Sequence, residues 1–300
     1  MAEPTAEIRF PGWLTKQYRQ TDNLNLVERL LFHYGVNAVC HKARCPNMFE
    51  CFSEKKLTFL LLGDICTRNC RFCSTKKGTA KYLNNLNEIE GVYKIINLLG
   101  IKYVILTSVT RDDLPDGGLN YYMEAVRKIK ASKDNITLEL LTPDFINVEN
   151  AQEILSKSEI DVFSHNLETV KNLYDEIRPE SDYYASLDLL LGVKKNHHKK
   201  IITKSGFMLG LGESESEVLG LLKDLKSALV DIVTIGQYLR PDKKCVPVRE
   251  FIKPEKFEYY KKKALSMGLP YVSAGPFVRS SYKAKEIYIL MTNDKIQSTK

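Results

Sequence analysis

Leu57-Thr58-Phe59-Leu60-Leu61-Leu62-Gly63 runs almost directly into Cys66-Thr67-Arg68-Asn69-Cys70-Arg71-Phe72-Cys73. The first stretch is a short apolar run closed by glycine, the signature of a strand buried on both faces in a parallel sheet. The second sets three cysteines in eight residues, spaced C-x3-C-x2-C. Three thiolates can hold three irons of a four-iron cluster and leave the fourth open to a ligand. In parallel α/β folds, active-site groups belong on the loops that follow the strands' C-terminal ends. Cys66–Cys73 occupies such a loop.

Working onward from this strand, apolar runs alternate with helical periodicity. Strands are expected at 102–107, 136–141, 161–165, 201–209, 231–235 and 271–273. Helices are expected at 88–99, at 119–129, near 148–157, through 193, from Ser214 and at 254–267. Ser214 stands three residues before Glu217, the pattern of a helix-starting capping box. Roughly six βα units in succession imply a parallel sheet with right-handed crossovers. Six units are too few for a closed eight-stranded barrel, so the pattern alone admits either a partial barrel or an open wound sheet.

Composition sets the outer limits. The 300 residues are 44% hydrophobic and 27% charged, as in an ordinary globular protein. The longest apolar runs are far too short to cross a bilayer. Residues 1–7 lack a charged-then-apolar leader, and a cytoplasmic location without membrane association is expected. The net charge of +7 suits a negatively charged metabolite or an acidic protein partner. Nucleic-acid binding would need basic residues interleaved with stacking aromatics or a recognisable module, and neither is present.

Six of the seven cysteines fall between Cys40 and Cys73, a clustering that argues for metal or redox use over disulfides. Upstream of the first motif, Cys40, Cys45 and Cys51 form a second triplet spaced C-x4-C-x5-C. Pro46 discourages a continuous helix, so an irregular loop is expected to present these thiols. A zinc knuckle is the alternative, with His41 as a possible fourth ligand. Zinc sites usually combine close C-x2–4-C pairs into four ligands, and neither triplet contains a C-x2-C pair flanked by a matching pair. Before the triplet, Leu24, Val27, Leu30, Leu31 and Tyr34 lie at helical spacing and Gly35 suits the stop.

The C-x3-C-x2-C motif, with Phe72 before its last cysteine, resembles that of the radical S-adenosylmethionine (SAM) enzymes. Joined to the upstream triplet, it is similar to the lipoyl synthases within that superfamily. Further matching stretches are Ala43-Arg44-Cys45-Pro46-Asn47, Ser108-Val109-Thr110-Arg111-Asp112-Asp113-Leu114, Asp116-Gly117-Gly118, His165-Asn166-Leu167-Glu168-Thr169, Gly236-Gln237-Tyr238-Leu239-Arg240-Pro241 and Arg279-Ser280-Ser281-Tyr282. The expected architecture is then a partial (β/α)6 TIM-type barrel at 57–274. An N-terminal extension at 1–56 and a C-terminal tail at 275–300 would meet over its mouth.

The resemblance implies two 4Fe-4S clusters. One rests on Cys66, Cys70 and Cys73 and leaves an iron for SAM; the other, auxiliary, rests on Cys40, Cys45, Cys51 and Ser281. An alkoxide is a harder and more labile iron ligand than a thiolate, which suits a cluster that is dismantled. The implied reaction inserts two sulfur atoms at carbons 6 and 8 of a protein-bound octanoyl-lysine, through 5′-deoxyadenosyl radicals. Candidate contacts for SAM are Phe72, Thr107 and Ser108, then Asn166 and Glu168 for the ribose, and Leu209, Gly210, Tyr238 and Leu239 for the adenine. The implied partners are an octanoylated carrier (a glycine-cleavage H protein or a 2-oxoacid dehydrogenase lipoyl domain), a reductant such as ferredoxin or flavodoxin, and an iron–sulfur carrier for cluster repair. Arg111, Asp112 and Asp113 read equally as paired loop charges or as contacts to the substrate lysine. His165 reads as a satisfied strand-end histidine and Cys245 as an incidental buried thiol. The rival readings are a biotin-synthase-like enzyme, in which Arg-Ser-Ser-Tyr would have no role, and a non-catalytic two-cluster electron carrier.

Overall fold

The computed structural model describes residues 10–79, 86–131, 135–145, 148 and 150–297. The reading of residues 1–7 lies outside them, as does part of the stretch before Asn150. In chain order the elements begin with α1 (Asp22–Tyr34), β1 (Asn37–Ala38), α2 (Val39–Lys42), α3 (Met48–Ser53) and β2 (Thr58–Leu61). There follow β3 (Ile65–Cys66), β4 (Lys76–Lys77), α4 (Leu86–Leu99), β5 (Tyr103–Ser108), α5 (Leu119–Lys130) and β6 (Thr137–Leu141). Then come α6 (Ala151–Ser156), β7 (Val162–Ser164), α7 (Tyr174–Ile177), α8 (Tyr183–Asn196) and β8 (Ile202–Leu209). The chain ends with α9 (Glu215–Ser227), β9 (Ile232–Gln237), α10 (Pro254–Ser266), β10 (Tyr271–Ala274) and α11 (Ala284–Gln297).

The main sheet has the order β1-β2-β5-β6-β7-β8-β9-β10. β1 joins its edge antiparallel to β2, and the other seven strands are mutually parallel. These seven follow one another in chain order without a reversal. A doubly wound sheet reverses its order at a switch point, whereas successive right-handed crossovers in one direction keep the helices on one face and let the sheet curl. The result is six βα units and a seventh strand in a partial barrel, with no pairing between β10 and β1 among the described residues.

Strand alternation separates two faces. On β5, Val104 and Leu106 join the core beneath the helices, while Tyr103, Ile105 and Thr107 line an internal cavity. The core is continuous with the N-terminal segment, since Leu24, Val27, Leu31 and Phe52 belong to the same apolar cluster as Phe59 and Ile95. α1 opens on Thr21, whose hydroxyl accepts from the Leu24 N–H, and stops at Gly35 with φ +63°. The capping box at Ser214 and Glu217 is formed in both directions.

The tail contains a helix, α11, that the sequence reading left as plain tail. Its Ile287 and Met291 pack against Val162, Ile202 and Ile232, the first residues of β7, β8 and β9. It thereby covers the N-terminal ends of β7, β8 and β9. Above it, inside the barrel, Lys204 pairs with Glu139 at 2.5 Å, and both are essentially without solvent exposure. Tyr103 Oη and Ser164 Oγ also donate to Glu139 at 2.6 and 2.8 Å. Removing one member of a buried, satisfied pair strands the other charge, at a cost of about 3–5 kcal/mol. Lys204→Met is therefore expected to lower the urea midpoint by that equivalent, and Glu139→Leu/Lys204→Met to recover most of it. Equal losses in the single and double variants would show that the pair is not the cause.

Candidate radical and sulfur-donor site

The turn into the cysteine loop is built by three distant groups. Leu62 has φ +66° and Gly63 φ +82°. The left-handed backbone at Leu62 is held by the Glu88 carboxylate, which accepts from the Leu62 and Gly63 N–H groups and from Tyr121 Oη. Gly118, the second glycine of Asp116-Gly117-Gly118, lies against this turn, and a Cβ there would sit 2.3 Å from Leu62 Cδ1. That contact explains Gly118, whereas a Cβ on Gly117, at φ +57°, would sit 3.1 Å from Phe145 Cδ1.

The loop itself leaves on β3 and returns on β4, which pair in parallel through Ile65↔Lys76 and Cys66↔Lys77. Arg68 fastens it inward. Its Nε and Nη2 donate to Asp112 at 2.8 and 2.9 Å and its Nη1 to Asp144 at 2.5 Å, with the arginine side chain 4% exposed. Arg111 is likewise buried and forked onto Asp113. The Arg111-Asp112-Asp113 stretch is thus taken up by ion pairs, the first of the two alternatives above. Arg68 is the residue inside the motif that positions it.

The second triplet departs from a simple loop. Cys40 sits on α2 and Cys51 on α3, with Cys45 in the turn before Pro46. Proline forbids one continuous helix but permits a short helix on each side. The two cysteine segments are joined where Ser74 Oγ donates to the Lys42 carbonyl and Lys42 pairs with Asp64 at 2.7 Å. The tail is tied to the upstream segment and to the barrel. Asn47 Nδ2 donates to the Phe277 carbonyl at 2.7 Å, Tyr282 Oη donates to Glu50 at 2.8 Å, and Ser280 Oγ donates to Asn166 Oδ1 at 2.8 Å. Both Ser280 and Ser281 lie on the wall that the cysteines share, with the Ser280 hydroxyl committed to Asn166.

That wall encloses a cavity of ≈ 540 Å³. Cys40, Cys45 and Cys51 line it together with Cys66, Cys70 and Cys73. So do Phe72, Thr107, Ser108, Asn166, Glu168, Tyr238, Leu239 and Ser281. Leu209 and Gly210 do not. Leu209 points into the outer core, and Gly210 is a tight turn with φ +97° whose added Cβ would meet Gln237 and the Glu250 carbonyl. Met208, one position earlier on the inward face of β8, lines the cavity instead. The expectation that Leu209 and Gly210 face the adenine is corrected by this alternation.

All seven cysteines are free thiols. Among the described residues, no three His, Cys, Asp or Glu side chains converge on a point that would hold a single metal ion. Three sulfurs around one ion would have to crowd within bonding distance of it, whereas in a cluster each thiolate takes a different iron. Thiols presented in threes suit iron–sulfur clusters, in which an iron is left for a further ligand. Burial and neighbouring thiolates push Cys40 and Cys51 up to about 12, and burial pushes Cys70 up to about 11. Thiolates so disfavoured need a cation close by.

Sequence reasoning did not reach Arg178. It lies on the cavity wall, 7% exposed. Its Nη1 donates to the carbonyls of Asn166 and Leu167 and to Tyr174 Oη, and its buried Nε has no partner. No carboxylate among the described residues pairs with it. Glu168, with φ +67°, accepts from Asn166 Nδ2 at 3.0 Å, and burial raises its carboxyl.

His165 is half satisfied. Its Nδ1 bonds the Thr142 carbonyl at 2.9 Å, while buried Nε2 has no partner and the ring lines the cavity. Burial, then Arg178, lowers it to about 4. The native ring stays neutral while the unfolded one, near 6.5, takes up a proton first. Stability is then complete above pH 6.5 and falls as pH drops towards 4, by about 3 kcal/mol over the window. In a His165→Gln variant this part of the acid dependence is expected to vanish; an unchanged slope of urea midpoint against pH would contradict the assignment.

The Radical SAM superfamily profile matches residues 60–225, and the chain belongs to that class. A methylornithine synthase shares the fold, with a TM-score of 0.53 and 16% identity over 89% of this chain and 88% of that one. So does the FeFe-hydrogenase maturase HydG from Carboxydothermus hydrogenoformans, with a TM-score of 0.52 and 16% identity over 79% and 66%. The sequence relatives are narrower. Lipoyl synthase from Caldicellulosiruptor bescii is 45% identical over 95% of this chain and 98% of its own, and that from Alkaliphilus metalliredigens is 44% identical over 93% and 95%. The chain belongs to the lipoyl synthase family. It is a sulfur-inserting radical enzyme with SAM and iron–sulfur chemistry. No helix among the described residues is long and apolar enough to cross a membrane.

Proposed function

We propose that this protein inserts sulfur at carbons 6 and 8 of an octanoyl-lysine on a carrier protein. It would use two 4Fe-4S clusters, one held by Cys66, Cys70 and Cys73 and the other by Cys40, Cys45, Cys51 and Ser281. The observation that carries the reading is that both cysteine triplets and Ser281 line one cavity. When bound, the first cluster supplies the electron that cleaves SAM and the second supplies the sulfur.

The chain's own residues do the rest. Arg178, buried without a carboxylate partner among the described residues, suits the carboxylate of the SAM methionine, and Ser108, whose hydroxyl is buried and unpaired among them, suits its polar end. Asn166 and Glu168 offer an acceptor-rich edge to ribose hydroxyls, and Phe72, Met208 and Tyr238 form an apolar wall beside them. The ties from Lys42 to Asp64 and from Asn47 to Phe277 hold the extension and tail over the site and limit access of water to reactive carbon centres. Coupling to a reductant and to a cluster-repair carrier follows from the consumption of electrons and sulfur.

Anaerobic turnover with an octanoylated H protein and, separately, an octanoylated lipoyl domain tests this. The expected result is lipoyl product with two 5′-deoxyadenosines per lipoyl group, and about eight irons per chain. Bound zinc, or turnover without 5′-deoxyadenosine, would overturn it.

A further inference from the structure

The cavity does not end at the cluster loops. Its wall descends the inner face of β5 from Ser108 through Ile105 to Tyr103, and reaches exposed residues at the strands' N-terminal end. There it is bounded by Lys55 and Leu57 before β2, by Gly100 and Lys102 before β5, and by Lys285 at the start of α11. Gly100, Lys102 and Lys285 are exposed, so the cavity meets the surface at this end. Leu57, Leu99 and Ile101 make its throat apolar, while its rim is basic. Lys55, Lys56, Lys102 and Lys285 line it with Glu54, and Lys56 is paired with Glu54 and with Glu286 beside Lys285.

Resting on the reading above, we propose that this lower opening is the port through which the octanoyl-lysine arm enters. An acidic face of the carrier domain docks on Lys55, Lys102 and Lys285. Three observations converge on it. The upper end is bridged by ties such as Arg44 to Asp242 and to the Pro241 carbonyl, and is lined by the residues suited to SAM. A second reactant fixed to a protein needs another approach once SAM is bound. The reach also agrees. Five residue steps from Tyr103 to Ser108 span about 16–17 Å. An extended octanoyl-lysine arm, at about 1.25 Å per bond, spans roughly 14 Å from Cα to carbon 6 and 16 Å to carbon 8. Finally, an apolar throat inside a cationic rim matches an acyl chain on an acidic surface, where complementary charge sets the encounter.

The test compares two octanoyl substrates, an intact carrier domain and a short octanoyl-lysine peptide without acidic residues. Lys102→Glu/Lys285→Glu is expected to raise KM for the carrier at least about tenfold, and to flatten its salt dependence. The KM for the peptide should shift less than about threefold. Iron content and urea midpoint report folding, and Lys102→Gln/Lys285→Gln replaces the reversal pair if either falls. Equal losses on carrier and peptide would overturn the port. So would a carrier-specific rise in KM from Lys77→Glu, on the upper rim, with none from the lower pair. Failure of the unaltered enzyme on both substrates would instead sink the sulfur-insertion reading.

Discussion

Cys70→Ala is expected to abolish 5′-deoxyadenosine release and lipoyl formation together, by at least about 10³-fold, because no radical is made. Cys70 lines the cavity near Arg178, in a loop fixed on both sides. The Arg71 N–H donates to the Ile177 carbonyl, and the Val246 N–H donates to the Arg71 carbonyl. Loss of one thiolate leaves two, too few to hold the cluster, while the Cys40 segment keeps its own ties to the tail. Iron should therefore fall from about eight to about four per chain, not to zero. Loss of all iron would mean that the two segments fold as one unit and that the triplets are not separable sites. Retained SAM cleavage would remove Cys70 from the radical-generating set.

Ser281→Ala should part the two halves of the reaction. The first triplet is untouched, so SAM cleavage is expected to survive within about fivefold, while sulfur insertion drops at least about 10²-fold. The ratio of 5′-deoxyadenosine to lipoyl product, normally two, would rise steeply. Ser281→Cys sharpens the test. A thiolate there should hold the auxiliary cluster but release it more slowly, since thiolate is the softer and more persistent iron ligand. Wild-type coupling in both variants would assign Ser281 a structural role in the tail. The geometry favours Ser281 over its neighbour, because Ser280 Oγ is already committed to Asn166 Oδ1.

Much of the site was legible because it is local. C-x3-C-x2-C and C-x4-C-x5-C are spacings within one short segment each, and they keep their meaning wherever the segment is placed. The strands were legible for a related reason: a strand buried on both faces must be apolar throughout, as Phe59-Leu60-Leu61 is, whatever it pairs with. Arg178 was not legible. An arginine after a short helix is an ordinary surface residue until the fold buries it beside Cys70 and pairs it with no carboxylate among the described residues. Lys204 and Glu139 were hidden in the same way, 65 residues apart and meaningless singly. The α11 helix was missed because so few of its residues face inward; Ala284, Ile287 and Met291 are its buried side chains among those described.

The order of strands, the cysteine spacings and the Arg-Ser-Ser-Tyr tail are properties of the sequence, and the family resemblance they carry pointed to the class of chemistry. Short-range spacing survives any arrangement of the rest. Whether the sheet winds one way or two, and that Met208 and not Leu209 faces the cavity, were decided only in three dimensions. Each depends on which face of a strand or loop meets a distant partner, and a shift of one residue would have exchanged them. Only the fold could bring Cys40, Cys66 and Ser281 to one wall.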